Sequence, residues 1–123
     1  MSYAERHVVS ITTASDGSAT AYSPVVTGKL SRIRYAKTDF ANGVDFAITA
    51  ESTGEALWTG TDVNASATVA PRQPTHDTVG AAALYAAGGS GVLDKIALAN
   101  DRVKIVIASG GDTKTGTFHI FME

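Results

Sequence analysis

Histidine is the residue type in this chain best suited to metal or acid–base chemistry, and three occur, His7, His76 and His119. Their spacing lacks the short i,i+2 or i,i+4 patterns that bring two imidazoles to one metal, and the chain has no cysteine to add thiolate ligands. His7 and His119 lie near the two chain ends and would be neighbours if the first and last strands pair. The sequence therefore predicts packed or surface histidines and no metal site.

The acidic and hydroxyl residues do not form a recognisable catalytic pattern either. Asp39, Asn42 and Asp45 surround one turn, but their spacing misses the alternate oxygen ligands and the later glutamate of a calcium loop. Ser90 lies between two glycines without the G-x-S-x-G motif of a nucleophile elbow. The glycines around it do not follow a strand into a βαβ unit, so no dinucleotide loop is expected. We therefore predict no enzymatic activity and no cofactor.

The aromatic residues leave two interpretations open. Trp58 follows Leu57 after a turn, which favours a position in the core or between sheets; a sugar-stacking platform is the alternative. Tyr85 differs from most aromatics of the chain because it lies in an Ala-rich segment outside the alternating runs. An exposed Trp58 in a groove would favour a carbohydrate-binding module.

The charge balance argues against nucleic acid and membrane partners. Lys and Arg number 10 and Asp and Glu number 12, a net charge of −2, whereas nucleic-acid binders usually show a basic stripe. The densest basic group is Lys29, Arg32, Arg34 and Lys37. Arg32 and Arg34 should stand side by side on one face of a strand, which is solvated or faces an interface. Residues 79–87, the longest apolar stretch, are too few to span a bilayer, and residues 1–6 lack the apolar run of a signal peptide. We therefore expect a protein that is made in a cytoplasm and is not a membrane protein.

The elements that must position these residues are β-strands, because apolar and polar residues alternate along most of the chain. Turn signals every ~10–15 residues suit an all-β fold, an antiparallel β-sandwich of jelly-roll type with about eight strands in one domain, 1–123. The residues expected in its core are Val9, Ile11, Ile33, Val44, Phe46, Ile48, Ile105, Ile107, Phe118 and Ile120.

Two turns are predicted to close hairpins. Asn42-Gly43 tolerates positive φ and precedes the strand that begins near Val44. Gly110-Gly111-Asp112 separates the last two strands, which are expected to pair with each other.

Two segments are predicted to lie outside the regular strands, an N-terminal arm at 1–6 and a long irregular loop at 71–91. The loop is rich in Ala and Gly, and one helical turn within it is the alternative. Pro71 and Pro74 hold the backbone around Arg72 extended, so binding through this arginine would cost little ordering entropy. The residues expected to contact a partner are Arg72, Pro74 and Tyr85.

The order of turns and strand ends resembles that of small β-rich virion structural proteins of tailed bacteriophages, of the capsid decoration or cement kind. The resemblance extends from about residue 28 onward. The runs that carry it are Ile48–Thr59 (ITAESTGEALWT), Thr61–Arg72 (TDVNASATVAPR), Leu93–Leu98 (LDKIAL) and Arg102–Thr117 (RVKIVIASGGDTKTGT).

The resemblance implies a non-enzymatic protein of the virion. Among virion proteins, we expect a decoration (cement) protein that binds the major capsid protein on the assembled head and associates with itself as a homo-oligomer, a trimer. The alternatives are a tail or head-completion accessory protein, and a carbohydrate- or receptor-binding module that uses Trp58 or Tyr85. A small jelly-roll enzyme is a further hypothesis, which a cluster of histidines and acids in one pocket would favour.

Overall fold

The computed structural model describes residues 4–123, which form two stacked antiparallel sheets. These residues form no helix, and hence none long and apolar enough to cross a membrane. The strands are β1 (Glu5–Thr12), β2 (Ala19–Tyr22), β3 (Val26–Lys37), β4 (Val44–Ala50), β5 (Ala56–Val63), β6 (Ala67–Val69), β7 (Arg72–Pro74), β8 (Leu93–Asp101), β9 (Val103–Ala108) and β10 (Thr115–Met122).

The strand order is that of a jelly roll. One sheet runs β1-β10-β3-β8-β7, with β6 also paired to β3, and the other runs β2-β9-β4-β5. The chain is thus one long antiparallel hairpin folded over itself, in which β1 pairs with β10, β2 with β9, β3 with β8 and β4 with β5. The predicted all-β sandwich is confirmed. The structure has ten strands where about eight were predicted, and the two additional ones are the short strands β6 and β7.

Both predicted hairpins are wrong. The strands on either side of Asn42-Gly43, β3 and β4, belong to different sheets, and so do β9 and β10 on either side of Gly110 and Gly111. A chain that doubles back as a whole sends these consecutive strands to opposite sheets, so the two turns are corners across the sandwich. The positive φ that suggested hairpins is real, since it is 85° at Gly43 and 92° at Gly111.

The start of the chain is more regular than a free arm. β1 already includes Glu5 and Arg6, which pair with Met122 and Phe121 of β10. Of the rest of the predicted arm, Ala4 precedes β1 and residues 1–3 lie outside the described residues. Pairing of the first and last strands satisfies backbone groups that a free segment would leave to water.

The core lies between the sheets and follows the alternation of the sequence. All ten residues expected there are buried, as the burial pattern of β4 and β10 illustrates with every second residue inside. At its centre, the ring of Phe46 on β4 crosses the gap to contact Tyr35 and Phe118 of the other sheet, with centroid distances of 5.4 and 5.1 Å. These contacts join the two sheets through aromatic surface.

Two glycines make room for this aromatic cluster. Gly60 lies opposite Phe46 on β5, and Gly116 on β10 lies beneath the ring of Phe40. A Cβ at either position would overlap the ring, although neither glycine has a positive φ. These positions therefore require glycine for close approach rather than for a turn.

Buried polar side chains hold the corners together. Thr13 Oγ1 donates to the Gly111 carbonyl at 2.6 Å and accepts from the Lys114 amide at 2.9 Å, which ties the β1–β2 corner to the β9–β10 corner. Ser23 Oγ accepts from the Val103 amide at 2.9 Å in the same way. Each hydroxyl satisfies backbone groups that a corner removes from the ladders.

Asp101 joins the β8–β9 corner to the β4–β5 turn. Its Oδ1 accepts hydrogen bonds from the amides of Ser52 and Arg102, at 3.1 and 2.8 Å. The hydrogen bonding from Ser52, supported by that from Arg102, holds the pKa of this carboxyl below its usual value, while burial opposes the effect.

Tyr35 provides a test of the core. Its ring is fully buried, and its hydroxyl has no hydrogen-bond partner within residues 4–123. Tyr35→Phe removes an unsatisfied polar atom, so we expect the free energy of unfolding to stay equal or to rise by about 1 kcal/mol. Urea denaturation measures it, with Tyr22→Phe at an exposed site as the control. A clear loss of stability at position 35 alone would contradict this expectation.

Asp101 provides a test of the corner. Because its folded pKa lies below its unfolded value of about 4, the carboxylate contributes stability above that value. This contribution disappears as the pH falls through the folded pKa. Asp101→Asn should therefore lower the melting temperature at pH 7 and flatten its decline at acid pH. Scanning calorimetry across pH checks this against Asp112→Asn, which removes an exposed carboxylate; parallel curves for wild type and Asp101→Asn would contradict it.

Candidate partner-binding surface

Residues 75–92 form an excursion between β7 and β8. None of its residues is buried, and no helical turn forms in it. Its backbone groups bond to one another, so the excursion has a defined shape without contributing to the core. The hydrogen-bonded pairs, donor first, are Thr75–Val92, Asp77–Ala81, Gly80–Asp77, Ala83–Thr75, Tyr85–Ser90, Gly89–Ala86 and Val92–Ala83.

The predicted irregular loop, 71–91, thus has more structure than expected. Its first part is β7, an edge strand beside β8, where Pro74 is tolerated because an edge position need not donate a backbone hydrogen bond. Two isolated bridges, between His76 and Ala82 and between Leu84 and Gly91, continue the pairing outward.

The excursion presents large apolar side chains to solvent. Val79 is 86% exposed, Tyr85 76% and Leu84 43%, and Leu93 follows at the start of β8 with 55%. These are four of the eight large hydrophobic residues exposed among residues 4–123. Scattered apolar residues are ordinary on a surface, but a group on one ordered segment is typical of an interaction site.

The three residues predicted to contact a partner share this region but not one environment. Tyr85 is exposed within the excursion, and Pro74 is exposed on β7. Arg72 is exposed too, yet its Nη1 donates to the carbonyls of Ser31 and Pro71, at 3.1 and 2.8 Å. The guanidinium therefore anchors β7 to β3, and its contact with a partner stays a prediction.

Sequence reasoning did not single out Val79 and Leu84. A signal was present, since they are isolated large apolar residues among Ala and Gly, where no alternating pattern assigns them to a core. Their exposure became evident only when the excursion was found to fold on itself.

The histidines are separated. β1 does lie beside β10, but His7 is opposite Ile120 and His119 is opposite Val8, one position along the strand. Neighbouring positions on a strand point to opposite faces, so the two imidazoles do not meet. Within residues 4–123, no three His, Cys, Asp or Glu side chains gather in a group able to hold a metal.

Trp58 packs against the core. It is half-buried, and its ring meets Phe46 edge-to-face with a centroid distance of 4.8 Å. A stacking platform needs an open aromatic face on the surface, so this geometry favours the inter-sheet role over sugar binding.

The acids near the Asn42 turn serve the backbone. Asp39 Oδ1 accepts from the amide and the hydroxyl of Thr115, and the backbone hydrogen bond chiefly lowers the pKa of Asp39. Asp45 accepts from the amide of Asp62 at 2.8 Å. The Asp39 carboxylate ties the β3–β4 corner to β10, and the Asp45 carboxylate ties β4 to β5, so they do not converge on a common point as cation ligands would.

Two of the concave regions formed by residues 4–123 lie outside the excursion. A shallow groove of about 320 Å³ on the outer face of the four-stranded sheet is lined mainly by Ala, Thr, Gly and Val, with Asp45 its one ionisable residue. A second, of about 210 Å³, lies between β8 and the β4–β5 turn and contains Asp101, whose carboxylate already accepts two amides. The second region also contains Ser52, whose side chain hydrogen-bonds to Asp101 and lowers the pKa of that carboxyl, and neither region is lined by a histidine.

Comparison with known proteins gives little further guidance. No protein-family model matches the chain, and no curated protein matches it in sequence. A solved structure, the crystal structure of FLHE, aligns over 99% of both chains with 11% identity and a TM-score of 0.47. At these values the likeness carries no functional argument.

Asp77 tests whether the excursion is held by its own hydrogen bonds. Its Oδ1 accepts from the amides of Val79 and Ala81, at 2.9 and 3.0 Å. Asp77→Ala should speed hydrogen exchange at these two amides, because an exposed turn opens locally. Global stability should change by less than about 0.5 kcal/mol. NMR-detected exchange and urea denaturation measure the two effects; a large global loss would show that the excursion belongs to the core.

Proposed function

We propose that this chain is a non-enzymatic structural protein of a tailed-bacteriophage virion, a decoration protein that binds the major capsid protein of the assembled head. Two observations support the proposal. The order of turns and strand ends resembles such virion proteins over most of the chain, and the excursion presents unpartnered apolar side chains on an ordered segment. The second observation carries the binding role.

The excursion suits attachment to a preformed surface. Val79 and Tyr85 are the most exposed large apolar side chains among residues 4–123, and the turns between them are fixed by backbone hydrogen bonds. An ordered segment loses less conformational entropy on binding than a flexible loop. Burial of its apolar area would supply the driving force, at about 25 cal/mol per Å².

Self-association as a trimer is part of the same proposal. A domain of this size buries only about two-thirds of the surface that its unfolded chain exposes, and contacts between copies would add burial. The alternative of a carbohydrate-binding module finds less support, because Trp58 packs edge-on against Phe46.

The proposal is tested on heads purified from phage that lack the gene for this chain. We expect added wild-type protein to bind in numbers that follow the capsid lattice and to raise the temperature at which heads release DNA. The double variant Val79→Ser/Tyr85→Ser should bind at least about tenfold more weakly, since each apolar side chain contributes about 1.5–3 kcal/mol when fully buried. Sedimentation measures binding, and light scattering measures the oligomer.

The matched control is Val25→Ser/Val106→Ser, which removes two apolar side chains exposed elsewhere. It should bind as wild type does. Equal weakening by both pairs would remove the excursion from the attachment site. A chain found only at the tail or neck would contradict the decoration role, and a stable monomer at every concentration would contradict the trimer.

A further inference from the structure

Half of the basic residues of the chain lie on four neighbouring strands of the six-stranded sheet. Strands β1, β3, β6 and β10 contain five Lys or Arg residues and a single acid, Glu5, which contacts His7. The rest of the chain holds the other five Lys or Arg residues and eleven of the twelve acids. The net charge of −2 is therefore the sum of a positive charge on these four strands and a larger negative charge on the rest of the chain.

The pairing register places these residues in rows on the outer face of the six-stranded sheet. Arg6 of β1 lies opposite Phe121 of β10, which lies opposite Arg32 of β3. In the neighbouring row, His119 lies opposite Arg34. Since side chains directly opposite each other in a sheet share a face, the basic face consists of Arg6, Arg32, Arg34 and His119, with Phe121 at its centre.

Two of the arginines are held in place without neutralisation. The Arg32 guanidinium lies over the Phe121 ring, 4.2 Å from its centroid, and Arg34 Nη1 donates to Thr68 Oγ1 at 2.8 Å. The carboxylates that form ion pairs within residues 4–123 contact His7, Lys95 and Arg102 instead. The basic face thus offers oriented cationic groups whose charge is not compensated.

We propose that the basic face is a second interaction surface, which docks an acidic segment of a different protein. A planar guanidinium matches a carboxylate in bidentate geometry, and ordering by Phe121 and Thr68 reduces the entropy lost on pairing. The Arg32 side chain leans toward Phe121 of β10 and the Arg34 side chain toward Thr68 of β6, so the basic face presents its guanidinium groups across three neighbouring strands. The central Phe121 supplies apolar contact.

Other occupants fit less well. The outer face of the four-stranded sheet in a second copy carries Lys104 as well as Asp45, so it does not offer a purely acidic counterpart. Nucleic-acid binders make about 6–10 phosphate contacts, more than three arginines provide, and the acids elsewhere on the chain repel a long polyanion. A short acidic protein segment can contact the basic face without reaching the acidic residues elsewhere on the chain.

The test uses a fluorescein-labelled octaglutamate peptide as the probe, with a single-stranded oligonucleotide of eight residues as the comparison. Fluorescence anisotropy should show peptide binding at low salt. Arg32→Gln/Arg34→Gln should weaken it roughly tenfold, because two exposed ion pairs with the peptide are lost. The matched control, Lys104→Gln/Lys114→Gln, removes the same charge from the opposite sheet and its corner and should bind as wild type does.

Arg32→Lys/Arg34→Lys keeps the charge but loses the planar fork, and we expect intermediate binding. Circular dichroism confirms that each variant is folded. The proposal is overturned if neither probe binds, if the control weakens binding as much as the arginine variant, or if the oligonucleotide binds more tightly than the peptide. Because no phage head is involved, this result does not depend on the decoration role.

Discussion

The contact of Phe46 with Tyr35 and Phe118 is the interaction on which the rest of the structure depends, since it joins the two sheets at their centre. Its geometry sets conditions on the neighbouring strands. Gly60 must leave space beside Phe46, and the register of β4 and β5 must place that glycine opposite the ring. One aromatic contact thus couples side-chain size, strand register and sheet separation.

The sequence was a good guide to which residues face the core and a poor one to which strands pair. Alternation along a strand is local, so Ile48 and Ile107 could be assigned to the interior without knowledge of their neighbours. Pairing in a jelly roll is set by the chain doubling back as a whole. A turn such as Asn42-Gly43 has the same local chemistry in a hairpin and in a corner. Distant hydrogen bonds distinguish the two, such as that from the Gly43 amide to Asn64 Oδ1 and that from the Ala41 amide to the Gly110 carbonyl.

The contrast between local patterns and contacts distant in the sequence also explains which features of the surface could be predicted. Tyr85 stood out locally because it lay outside every alternating run, and it is exposed. The anchoring of Arg72 to β3 could not be foreseen, because its acceptor, the Ser31 carbonyl, lies far away in the sequence. Arg32 and Arg34 were correctly placed on one face of a strand, but their assembly with Arg6 required β10 to lie between the first and third strands.

The pairing of β1 with β10 also determines when the domain can form. Glu5 and Met122 are partners, so the loop closed by their pairing includes nearly the whole chain. The conformational entropy of this loop must be lost before the strand pairing can stabilise the fold. On the ribosome, the first strand emerges long before the only strand that pairs with it in the described fold. During that interval its apolar residues and backbone edge are open to other nascent chains. Glu5 and Arg6 place charges at the start of this strand, which discourages edge-to-edge aggregation until synthesis reaches β10.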